Sequence, residues 1–120
     1  MTDYVVPPTW KFFGNTGANQ VTYTLPGHTV QRPHLAIFDR KVPSFGGNGS
    51  QVPQYRIRII RGVLDAQGNL VATRITDDRT VRWPAGAVAS EVIEDMAIMG
   101  AICSDVNLQA NIVNELRLPR

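Results

Sequence analysis

Polar and apolar residues alternate with a period of two in several runs within the first 83 positions, and recur with a period of three to four after them. The first spacing sends successive side chains to opposite faces of a strand; the second gathers them on one side of a helix. Thr9 to Phe13 carries Trp10, Phe12 and Phe13, and Gln20 to Leu25 sets Val21, Tyr23 and Leu25 against Gln20, Thr22 and Thr24. The Gly/Asn-rich stretch Gly14 to Asn19 joins these runs, which predicts a hairpin ended by Pro26-Gly27.

Three longer runs follow. His34 to Val42 puts Leu35 and Ile37 on one face and His34, Ala36, Phe38 and Arg40 on the other. Pro43 to Ser50 reads as a flexible loop. Gln54 to Gly62 separates Tyr55, Ile57 and Ile59 from Arg56, Arg58 and Ile60, and Asp65 to Asn69 supplies a turn. Leu70 to Trp83 places Val71, Ile75, Val81 and Trp83 on its odd face and Arg74, Thr76, Asp78, Thr80 and Arg82 on its even face. That run is long enough to hold a bulge or bend that breaks the register.

Pro84-Ala85-Gly86 ends the strands. Val92, Met96, Met99 and Cys103, with Ile93, Ala97, Gly100 and Ile102 beside them, then predict a helix. Glu91, Glu94 and Asp95 lie near its start, where the helix dipole favours anions. Ser104 or Asp105 can cap a second helix with a stripe of Val106, Ala110 and Val113, flanked by Ile112 and Leu116, and Pro119 ends it. The class is α+β: an N-terminal β-hairpin, an antiparallel sheet of long strands, and two C-terminal α-helices. A chain of 120 residues, 43% hydrophobic, suits one domain over residues 1–120, with strands over about 8–83 and helices over about 87–117.

Composition narrows the possibilities. No apolar run reaches the length of a membrane span, and the first residues do not read as a secretory signal. Cys103, the single cysteine, cannot form an intrachain disulfide; it fits a reducing compartment and reads as a small buried hydrophobe. The net charge of +2 is small, but its distribution is uneven. Val30 to Ala85 holds nine bases and four acids, whereas Gly86 to Leu116 holds five acids and no base. Such a division predicts two surfaces that face different surroundings.

Catalytic and metal-binding patterns are missing. His28 and His34 stand apart from acids and cysteines, so no zinc spacing exists. Gly46-Gly47-Asn48-Gly49 precedes a strand and lacks the helix N-terminus of a phosphate cradle. Asp77 and Asp78 are strand neighbours and point to opposite faces, which argues against joint catalysis. The expectation is therefore a protein that is not an enzyme and needs neither metal nor cofactor.

Arginine placement is the positive signal. The even face of the two long strands collects Arg56, Arg58, Arg74 and Arg82, with hydroxyls from Thr76 and Thr80. His34 and Arg40 join it if the third strand pairs in the matching register. Leu35, Ile37, Tyr55, Ile57, Ile59, Ile75, Val81 and Trp83 are assigned to the opposite, apolar face, which the helices must cover. Alone, this array is as compatible with a solvated face as with nucleic acid. Ten arginines among twelve bases tilt it towards phosphate.

The order of elements resembles the coat proteins of the levivirus-type single-stranded RNA phages. Three stretches carry the likeness: Tyr55-Arg56-Ile57-Arg58-Ile59, Thr80-Val81-Arg82-Trp83-Pro84 before a small-residue link, and Ser104-Asp105 through Ile112-Val113 to Pro119. It spans about Thr9 to Pro119. The resemblance implies an interlocked homodimer in which helices of one subunit lie across the sheet of the other. Met96, Met99, Ile102, Ile112 and Val113 would then form the dimer interface. It implies assembly in the host cytoplasm into a virion with an icosahedral, usually T=3, shell, and no membrane partner. The loop Leu64, Asp65, Ala66, Gln67, Gly68 and Asn69 would lie between dimers. Single-stranded genomic RNA, including an RNA hairpin, would bind the inner sheet face and repress replicase translation. The candidate RNA contacts are His34, Arg40, Arg56, Arg58, Arg74, Thr76 and Arg82; Ala36, Phe38 and Asp78 fall at further positions of the family's RNA-facing strands. Departures exist: Arg56 stands where well-known relatives use threonine, Ala36 and Phe38 replace small hydroxyl residues, and Asp78 is acidic. The competing expectations are a non-viral RNA-binding domain with the same basic face, and a shell protein with no specific RNA target.

Overall fold

The computed structural model describes residues 3–15, 17–42, 52–84 and 86–119. The expected loop Pro43 to Ser50 and residue Ala85 of the strand stop lie outside them. Five strands occur in the order β1 (Lys11–Gly14), β2 (Gln20–Thr24), β3 (His34–Lys41), β4 (Gln54–Arg61) and β5 (Ile75–Arg82). Each pairs antiparallel with the next, giving a meander with β1 and β5 at its edges. Helices α1 (Ala89–Ser104) and α2 (Val106–Glu115) follow. The chain divides into two compact units, the sheet up to Arg82 and the helices from Trp83 onward.

Turn chemistry sets the register of the sheet. Pro26 and Gly27 occupy the centre of a turn closed by the His28 amide donating to the Leu25 carbonyl, and Gly27 takes the φ of 89° such a turn demands. The amide of His34 then donates to Nδ1 of His28 at 3.0 Å, and the Leu25 amide to the His34 carbonyl at 2.9 Å. Beyond β4, Leu64 bridges Leu70, and one carboxylate oxygen of Asp65 accepts from the amides of Gln67 and Asn69, both at 2.9 Å. The segment Leu64 to Asn69 is thus a tight turn closed by its own first acid.

The final strand is shorter than the alternation predicts. It begins at Ile75, so Arg74 lies outside it and owes no strand face to its even number. Val71 to Arg74 instead leaves the isolated bridge at Leu70 and runs without strand pairing to Ile75. The first strand likewise begins at Lys11 rather than Thr9, and its pairing shifts between Phe12 and Gly14.

Asp105 starts the second helix: its side chain accepts from the Leu108 amide at 3.0 Å. That helix does not run to Pro119. It stops at Glu115 because Leu116 takes a left-handed conformation with φ 53°, and the amides of Leu116 and Arg117 return to the carbonyls of Ile112 and Asn111. This is the closure usually given to glycine.

Neither helix buries a side chain. Cys103, expected in a core, is half-exposed. In the sheet unit the described apolar residues that are buried are Leu25 and Ala36, joined by the polar Thr22. No single helix among the described residues is long and apolar enough to cross a membrane.

Candidate nucleic-acid interface

Cross-strand pairing assigns the paired strand residues to faces, because residues directly opposite one another in an antiparallel pair share a side. Four rows cross the even face. The first is Lys41, Gln54 and Arg82; the second is Gln20, Asp39, Arg56 and Thr80. The third is Thr22, Ile37, Arg58 and Asp78, and the fourth is Lys11, Thr24, Leu35, Ile60 and Thr76. The face passes from cationic at one end, through mixed charge, to hydroxyls and aliphatics at the other.

Arg56, Arg58, Thr76 and Arg82 therefore lie together as the alternation predicts. His34 and Arg40 do not join them. His34 pairs with Arg61 and Arg40 with Tyr55, on the odd face. The third strand sits one residue from the assumed register, and a one-residue step exchanges its two faces. Both side chains are also engaged elsewhere: His34 Nδ1 lies 3.0 Å from the Pro26 carbonyl, and Nε of Arg40 donates to Oδ1 of Asn19 at 3.1 Å. By the same step Leu35 and Ile37, assigned to the apolar face, lie among the arginines, and Ala36 and Phe38 lie opposite them.

Two aspartates organise the centre of this face. Nε of Arg56 donates to both carboxylate oxygens of Asp78 at 2.9 Å, and its terminal nitrogen also bonds that carboxylate. Arg58 donates to Asp39 through one terminal nitrogen at 3.0 Å. Its Nε is buried and has no partner among the described residues. Hydrogen bonds from Arg56, opposed by desolvation and aided by the charges of Arg56 and Arg58, hold the Asp78 carboxyl below its ordinary value. The same bonds raise Arg56. Arg82 donates through Nε to the side-chain oxygen of Gln54 at 2.7 Å, a neutral partner that leaves its charge available.

The odd face is apolar and aromatic at its middle. Phe12, Tyr23 and Phe38 contact edge to face, with ring centroids 6.0 and 6.2 Å apart. Ile57 and Tyr55 are exposed beside them. Arg79 and Asp77 share this face and pair with each other at 3.3 Å. On the helices, Met96, Met99, Ile102, Ile112 and Val113 are all exposed, from 47% at Ile102 to 81% at Val113. No cluster of three or more His, Cys, Asp or Glu placed to hold a metal occurs among the described residues.

Sequence reasoning puts the arginines of β4 and Asp78 on one face but misses Asp39, the partner of Arg58. Asp39 was invisible because it belongs to this face only in the observed register. Lys41 was missed for the same reason.

No protein-family model matches the sequence, and no curated protein is significantly similar to it. The fold, however, has close counterparts. The chain superposes on a subunit of the virus-like particle of Beihai levi-like virus 32 with a TM-score of 0.75 at 15% identity, covering 92% of this chain and 87% of the other. For Wenzhou levi-like virus 4 the values are 0.71 and 19%, covering 98% and 83%. For bacteriophage GQ-907 they are 0.71 and 14%, covering 99% and 91%. The chain has the fold seen in the virus-like particles of levi-like phages: one antiparallel sheet followed by two helices.

Proposed function

We propose that this protein is the coat subunit of a levivirus-type RNA phage. One observation carries the reading: nearly the whole chain superposes on subunits of three virus-like particles. The exposure of both helices supports it. At 100° per residue, Val92, Ile93, Met96, Ile98, Met99, Ile102 and Cys103 span more than half the circumference of α1. A helix apolar over so wide an arc is ordinarily buried, yet none of its residues is.

The partner is a second copy of the chain. Met96, Met99, Ile102, Ile112 and Val113 pack in the interlocked homodimer, and the free edge of β5 meets its counterpart to continue the sheet. Among the described residues β5 is an edge strand of eight residues, and such an edge needs a partner or a cover. Dimers build an icosahedral shell of the T=3 type, with the turn Leu64 to Asn69 at contacts between dimers. The role is structural rather than catalytic, and the place of assembly is the cytoplasm of the bacterial host. The even sheet face lines the interior and holds single-stranded genomic RNA, with repression of replicase translation as its regulatory use. Glu91, Glu94 and Asp95 of α1 face outward.

Expression of the chain alone tests this. Electron microscopy should find closed particles that protect RNA from nuclease. A soluble monomer or dimer that binds RNA without ever forming shells would favour a non-viral RNA-binding domain. Empty shells, or shells indifferent to RNA, would leave a structural protein with no nucleic-acid target.

A further inference from the structure

A surface that only gathers phosphate has no use for two acids at its centre. Asp39 and Asp78 each bind the arginine diagonal to them: Asp78 lies opposite Arg58 but takes Arg56, and Asp39 lies opposite Arg56 but takes Arg58. The four charges interleave and cancel. Lys41 and Arg82, one row away, are different. Among the described residues no carboxylate pairs with either. The rows are separated by two residues along a strand, or about 7 Å.

We propose that Asp39 and Asp78 are specificity-determining residues that hold Arg56 and Arg58 away from generic phosphate. A polyanion is then gripped first at the Lys41–Arg82 row. It reaches the two central arginines only by exchanging its phosphates for the carboxylates. This deepens the RNA reading given above and rests on it. A carboxylate tethered on the neighbouring strand acts at high effective concentration, so a lone phosphate competes poorly. RNA that also lays unpaired bases along Thr76, Ile60 and Leu35 makes interactions that do not depend on the arginines. Lowering the sequence-independent electrostatic contribution raises the ratio of specific to non-specific binding.

Salt titrations of the full-length protein with a short random-sequence single-stranded RNA and with inorganic polyphosphate test the proposal. The variants are Asp78→Asn and Asp39→Asn, both nearly isosteric and both at half-exposed side chains. Freeing one arginine should steepen the log–log salt dependence by about 0.7, or about fivefold in affinity for each tenfold drop in salt. Polyphosphate should gain as much as RNA. Circular dichroism and particle formation check that each variant folds, and either variant alone suffices for the reading. If the wild type binds and both variants bind with unchanged or weaker affinity and an unchanged slope, the proposal falls while the RNA reading stands. If neither the wild type nor the variants bind RNA at any salt, the RNA reading falls and takes the proposal with it.

Discussion

Arg56 and Asp78 join β4 to β5 diagonally, with the Arg56 Nε 2.9 Å from both oxygens of a carboxylate whose directly opposite neighbour is Arg58. The bond favours the ionised carboxylate, so the Asp78 carboxyl titrates below its ordinary value of 3.8. The sign follows from linkage. A group whose pKa is lower in the folded state contributes stability that is present above its unfolded pKa and lost as pH falls through the folded value.

Wild type and Asp78→Asn should therefore differ most near neutrality, and the difference should begin to shrink as pH falls below about 4 towards the lowered folded value. Denaturant melts of both proteins over pH 3 to 7 check this. A difference that is constant across that range would show that the pair contributes nothing through ionisation. Both side chains are open to solvent over about a third of their surface, so the difference should also shrink with added salt.

Met99→Asp should abolish the soluble dimer. Met99 is 54% exposed in the single chain. If a second copy covers it, an unpaired carboxylate buried there costs several kcal/mol. Size-exclusion chromatography with light scattering distinguishes the outcomes. A well-folded dimer from this variant would place Met99 outside the interface.

The element order was legible in the sequence because period and turn chemistry agreed at nearly every step. The hairpin, β3, β4 and both helices lie within two residues of where the pattern puts them. Register was not legible. Alternation fixes which residues of one strand share a side, but not which side of the neighbouring strand they meet. His34 and Arg40 were misplaced on that account, and Asp39 and Lys41 overlooked. The residue that closes α2 was equally hidden, because leucine is not the residue that ordinarily adopts a left-handed cap. Arg74 was misplaced because alternation continued in name through a segment that does not pair.

Leu116→Gly should stabilise the helical unit slightly. A left-handed conformation strains a side chain with a Cβ by about 1 kcal/mol, part of which glycine's greater freedom in the unfolded chain offsets. The side chain is 85% exposed, so little packing is sacrificed. A rise in melting temperature of the unassembled protein is the expected result. Particles that fail to close despite that rise would assign the Leu116 side chain to a contact between subunits.

Deleting Ala66 to Gly68 should leave dimers intact and change shell size or closure. The turn is held within itself by Asp65, so its loss does not reach the strands through hydrogen bonds of its own. Gly68 carries a φ of 83°, and its amide returns to the Asp65 carbonyl. Particles of unaltered diameter from the deletion would move contacts between dimers elsewhere.

The cationic row gives the last prediction. If the even face holds RNA, Lys41→Ala with Arg82→Ala should lower the salt dependence of RNA binding by about 0.7 for each phosphate the face no longer neutralises. Arg56→Ala with Arg58→Ala should also weaken packaging, by a different route. It removes two cations that carboxylates already hold and leaves Asp39 and Asp78 unpaired on the face. Its effect should thus be largely repulsive, and restoring neutrality with Asp39→Asn and Asp78→Asn in the same chain should recover much of the binding. The Lys41/Arg82 variant should show no such recovery. These side chains are exposed or half-exposed, so all the proteins should fold and dimerise, which gel filtration checks first. RNA affinity and salt slope unchanged in both double variants would remove RNA from this face altogether. The shell reading would survive that result, because the contacts proposed for it lie on the helices and the Leu64 to Asn69 turn.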